Sequence, residues 1–134
     1  MRRRAAAAAA GLAGLALVAA SPAFGCGYCI EDKVAAVYDH AMITRALGRN
    51  HHIAFFAIEG PLPAGGLSRR VVSEALMPAK GVDSPSLRVS PDSASLSLSY
   101  DGKRISSDQI RDALNRKLLA RGLSVSLVKV IDQL

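Results

Sequence analysis

Between Ser95 and Tyr100 the chain reads Ser-Leu-Ser-Leu-Ser-Tyr, a strict alternation that leaves little choice of structure. In an extended strand it puts Leu96, Leu98 and Tyr100 on one face and the serines on the other. Leu87 and Val89 alternate with Arg88 and Ser90 on the near side of a Pro91-Asp92 turn. Together the two runs predict an antiparallel hairpin with one dry face and one wet face, closed by Asp101-Gly102.

The flanking segments extend this unit. Ser106 stands three positions before Gln109, the spacing of a capping box, and Ile110, Ala113, Leu114 and Leu118 form the apolar stripe of a helix that ends at Gly122. Leu123, Val125 and Leu127 then alternate in a last strand. Upstream, Ile53 to Glu59 is a short apolar run without helical periodicity, stopped by Gly60-Pro61, and reads as a central strand. A Pro- and Gly-containing loop leads into a helix over Ser68 to Met77, with Val72, Ala75 and Leu76 inward and Pro78 and Gly81 as stop signals. The order strand, helix, strand, strand, helix, strand is the α+β ferredoxin-like βαββαβ arrangement, a four-stranded antiparallel sheet with two helices on one face.

An extra N-terminal helix precedes it. Ile30, Val34, Val37 and Ala41 recur at helical spacing, Glu31 and Asp32 occupy the first turn, and Arg45 and Gly48 mark the end. The stripe of this Ile30 to Leu47 helix needs cover on a sheet edge or on the open sheet face.

A chain of 134 residues has room for one domain of ordinary size. Half of its residues are hydrophobic and only 4% aromatic, so Ala, Leu, Val and Ile must build the core. Arg2, Arg3 and Arg4 precede an apolar run from Ala5 to Ala20 and then small residues, the three parts of a secretory signal peptide. Cleavage after Gly25 leaves Cys26 first; cleavage after Ala23 also suits the small-residue rule. The organisation expected is a signal peptide over 1–25, a cysteine-containing segment and helix over 26–50, and the ferredoxin-like body over 51–134, with export to a periplasm. Membrane attachment is expected only through a lipid on Cys26 or an uncleaved N-terminal anchor, and Ala23 stands where a lipobox carries Leu. Loss of residues 1–25 lowers the formal net charge from +6 to +3. The remaining basic residues are scattered without interleaved aromatics, so no nucleic-acid partner is expected.

Residues 52 to 132, about three fifths of the chain, resemble the heavy-metal-associated domain of copper and mercury carriers and metal-pumping ATPases. The likeness is carried by Val72-x-x-Ala75-Leu76, by Gly81-Val82-x-Ser84, by the strand end Tyr100-Asp101, and by Ser107-x-x-Ile110-x-x-Ala113-Leu114. These positions determine fold more than metal binding. The family carries Gly-Met-x-Cys-x-x-Cys between its first strand and first helix, whereas this chain has Gly60-Pro61-Leu62-Pro63-Ala64-Gly65-Gly66-Leu67-Ser68. Counting from the strand puts the family's ligands on Pro63 and Gly66; counting back from Val72 puts them on Gly65 and Ser68. None is a thiol, so no family ligand carries over.

The only two cysteines form Cys26-Gly27-Tyr28-Cys29, directly before the first helix. A Cys-x-x-Cys at a helix start gains thiolate character from the exposed N–H groups, and thiolate is the form that binds soft metals or attacks disulfides. Two sulfurs suit near-linear copper(I) better than zinc, which takes four ligands. The expected cargo is copper(I) or another soft metal ion, exchanged with a partner metal-transfer protein or transporter. The same pair is also compatible with a thiol–disulfide redox protein or a plain disulfide, although so short a loop gives a disulfide little entropic effect. A protein-interaction module with incidental cysteines is the third reading. His51 and His52 are candidate further ligands if the chain folds back towards the cysteines. His40 lies eleven residues beyond Cys29, about 16 Å along a straight helix, too far to share a metal with it. Tyr28 packs or shields. Paired acid–base carboxylates, a Ser/His/Asp set and a phosphate loop are not recognisable, so no enzyme is expected.

Overall fold

The computed structural model describes residues 29–133. Two helices, α1 (Ile30–Ala36) and α2 (His40–Gly48), precede β1 (His52–Glu59), α3 (Gly66–Leu76), β2 (Val82–Ser90), β3 (Ser95–Tyr100), α4 (Ser107–Leu118) and β4 (Ser124–Ile131). The strands form one sheet in the order β2-β3-β1-β4, every pair antiparallel. From β1 onward this is the ferredoxin-like βαββαβ arrangement. Among the described residues no helix is long and apolar enough to cross a membrane. The signal segment and Cys26 lie outside the described residues.

The two central strands define the layers. On β1, Ala54, Phe56 and Ile58 face one way, towards α3 and α4, and join Leu96, Leu98, Val72, Leu76, Ile110, Leu114 and Leu118 in the main core. Ile53 and Phe55 face the other way and pack with Val37, Met42, Ile43 and Ala46 in a second core. The continuous apolar run of β1 is thus buried on both faces, as a run without polar alternation requires. The capping box of α4 forms as the sequence predicts: Gln109 N–H donates to Ser106 Oγ at 3.1 Å, and Ser106 N–H donates to Gln109 Oε1 at 2.9 Å.

Two expectations are corrected. The single helix expected over Ile30 to Leu47 is two helices, because Asp39 starts a new one: its carboxylate accepts from the Met42 N–H at 2.9 Å. The turn redirects the chain, so Met42, Ile43 and Ala46 are buried on α2, while Ile30 and Ala41 of the expected stripe are exposed. The wet face expected of the hairpin is also dry. Ser95, Ser97 and Ser99 are 1%, 0% and 1% exposed, because the α1–α2 pair covers the face they occupy. Their small side chains let the helical layer approach, and two of the hydroxyls are paired. Ser97 Oγ donates to the Val37 carbonyl at 2.6 Å and Ser99 Oγ to Asp83 Oδ2 at 3.2 Å.

Phe55 and Phe56 point into different cores, and each is 1% exposed. Truncating either to Ala is expected to cost about 3–5 kcal/mol in urea unfolding. Near-equal losses are the result expected if both helical layers belong to one cooperative unit; a loss below about 1 kcal/mol for Phe55→Ala alone would mean the α1–α2 layer is a loose appendage.

Candidate metal-binding segment and the emptied loop

Cys29 is the N-cap residue of α1 and is exposed. It fills a position where Ser, Thr, Asp or Asn usually accept from the first backbone N–H groups, yet its side chain makes no such bond. The sulfur is left for other chemistry. Helix α1 has seven residues, with Glu31 and Asp32 in its first turn, and it buries none of them.

A tether fixes where this end of α1 lies. The Lys33 N–H donates to the Cys29 carbonyl at 3.1 Å, and Lys33 Nζ donates to the Ser93 carbonyl at 2.8 Å in the β2–β3 turn. That turn adjoins the C-terminal end of β1, where the Ile58 N–H donates to the Ala94 carbonyl at 2.8 Å. Glu59 and the β1–α3 loop follow at once, so the start of α1 and that loop lie at the same end of the sheet.

The loop itself holds no soft donor. Gly60 has φ +107°, and a Cβ there would overlap the Gly122 carbonyl, so the chain leaves β1 by pressing against the turn before β4. Leu62 packs on the main core. Ser68 is fully buried and its hydroxyl donates to the Gly65 carbonyl at 2.7 Å. Pro63, Gly65 and Gly66 have no donor to offer.

The histidines are elsewhere. His52 pairs with Tyr100 across the sheet, and its ring stacks on the Tyr100 ring at 5.5 Å between centroids. Ala57, near the tether, pairs with Ser95, five residues and about 17 Å of strand away from His52. His51 follows Asn50, whose φ of +58° turns the chain from α2 into β1, and its N–H donates to the Ala46 carbonyl at 2.9 Å. Both rings are half-buried, and Nδ1 of His51 is buried without a partner. The structure therefore does not bring His51 or His52 to Cys29. His40 opens α2 and is exposed. Among the described residues no group of three or more His, Cys, Asp or Glu is placed to hold a metal.

Two residues that support the segment carried little signal in the sequence. Lys33 looks like any solvated helix lysine, and its carbonyl acceptors are set by the tertiary fold. Arg88 donates through Nε and Nη2 to Asp39 Oδ2 at 3.1 and 2.9 Å, clamping the start of α2 to β2. Asp39, an acid three positions before the N–H it accepts, is the cap signal that would have divided the single helix expected over Ile30 to Leu47.

No family model and no curated protein matches this chain. Among solved structures it is similar to one named "CopZ metallochaperone", at 24% identity over 55% of this chain and 98% of that one, with a TM-score of 0.43. A second is the oxidized MerP of Ralstonia metallidurans CH34, at 14% identity over 59% and 99%, TM-score 0.46. A third is the yeast copper transporter domain Ccc2a in apo and Cu(I)-loaded states, at 16% identity over 61% and 99%, TM-score 0.46. The likeness is one of fold. The assignment of the βαββαβ body rests on the strand order and helix placement described above.

The Asp39 carboxyl is held below its ordinary value, first by the Met42 N–H and then by the Arg88 guanidinium. A depressed carboxyl contributes stability that is complete above its unfolded pKa and is lost as pH falls through the folded value. Acid unfolding below about pH 4 should therefore be partly driven by this site. Arg88→Ala is expected to shift the acid midpoint upward, measured by circular dichroism against pH, and an unchanged midpoint would show that the clamp contributes nothing.

Proposed function

We propose that this protein is an exported soft-metal carrier rather than an enzyme, holding copper(I) between the thiolates of Cys26 and Cys29 and passing it to a partner protein or transporter. One observation carries the reading: the only cysteine pair in the chain ends at an exposed Cys29 whose sulfur takes no part in capping its helix. The donor chemistry fits. Two soft sulfurs match the low coordination number of copper(I), and a two-coordinate ion at an exposed terminus is open to attack by an incoming thiolate, which is what transfer between proteins requires.

The body supplies a rigid mount instead of ligands. Lys33 ties α1 to the β2–β3 turn, and the Asp39–Arg88 clamp holds α2. The metal-carrying role then falls on the N-terminal segment, at the end of the sheet where the β1–α3 loop has no donor. His51 and His52 have no part in it; stacking and strand pairing engage His52, and among the described residues neither histidine joins Cys29 in a group of three or more metal-ligating side chains.

The reduced mature protein is expected to take up one equivalent of copper(I) under anaerobic competition with a chromophoric chelator. Cys26→Ser with Cys29→Ser should remove the binding, whereas His51→Ala with His52→Ala should leave the affinity within about threefold, less than one weak ligand contributes. Retained binding in the double-serine protein would overturn the proposal. A pair that cycles with a defined potential but holds no copper would replace it with the redox reading.

A further inference from the structure

The α1–β4 side of the molecule carries an open apolar groove of about 540 Å³. Ile30, Val34 and Tyr38 line one bank and Val128 the other. Ile30 and Tyr38 are 62% and 48% exposed, two large apolar side chains open to solvent in one groove. Each bank also carries one charge: Glu31 on α1 and Lys129 on β4, both exposed and neither in an ion pair among the described residues.

We propose that the groove is a twofold interface for a second copy of this chain. A twofold axis through the groove exchanges its banks, so Glu31 of one copy meets Lys129 of the other, twice over, while the apolar residues between them cover each other. The charge pattern is what selects this occupant. An acid on one bank and a base on the other complement the same surface after rotation, whereas a unipolar partner would be attracted by one bank and repelled by the other.

The backbone edge of β4 is closed to a different mode of pairing. Phe55 pairs with Lys129 and Phe56 with Leu127, so Val128 is an extra residue that bends the strand and interrupts the edge. The contact is therefore made by side chains, with α1 and β4 as its two banks, and not by extending the sheet. It does not depend on the metal reading, since Cys29 does not line the groove.

Sedimentation equilibrium of the mature protein in reductant, which removes any disulfide-linked species, tests the assignment. A reversible dimer with a dissociation constant on the order of 10 µM is expected. Lys129→Glu, and separately Glu31→Lys, should weaken it tenfold or more, because each places like charges across the axis. Combining the two should restore association to near the parent value. A parent protein that stays monomeric throughout, a Lys129→Glu variant that associates like the parent, or a correctly folded double variant that stays dissociated would each overturn the proposal.

Discussion

Everything in this fold follows from the need to bury β1 on both faces. Phe55 and Phe56 are consecutive, so the pleat sends their rings to opposite sides of the sheet. One side is met by α3 and α4, the usual cover of a βαββαβ unit. The other needs a second layer, and α1 and α2 provide it. Without that layer Ile53 and Phe55 would face water, at a cost of roughly 2 kcal/mol or more each. The N-terminal helices are therefore part of the core.

The second layer explains the serines of β3. A helix pair approaching a sheet closely meets small side chains best, and the hydroxyls then need partners. Ser97 finds the Val37 carbonyl, at the end of α1, and Ser99 finds Asp83 on the neighbouring strand. The hydrogen bond from Ser97 also satisfies a carbonyl freed where α1 stops, so the break between α1 and α2 and the serine floor beneath it support each other. Ser95 Oγ is buried without a partner, beside the turn whose carbonyls take the Lys33 ammonium.

This arrangement sets what the cysteine segment can do. The Cys29 thiol, at the head of a helix that buries none of its residues, is exposed, while the rest of the layer is fixed through Val37, Met42, Ile43 and the Asp39–Arg88 clamp. The β1–α3 loop, with its prolines and glycines, leaves β1 past Gly122 and starts α3. Burial sits in the sheet layers and exposure at the start of α1; under the proposed function that division suits handing an ion on rather than sequestering it.

The sequence by itself determined the βαββαβ order, the β2–β3 hairpin, the α4 capping box and the place of β1 as a central strand, because each is written in local periodicity, turn residues or contacts three or four residues apart. It also located the only thiol pair. It did not determine that the N-terminal helix breaks at Asp39, that the serine face of β3 is dry, or that His52 pairs with and stacks on Tyr100. Those depend on which strands pair and which surface α1 and α2 cover, and a serine alternating with leucine reads the same whether its hydroxyl meets water or a carbonyl sixty residues away. Only the packed layers decide between the two, because the partner that replaces water comes from a distant part of the chain.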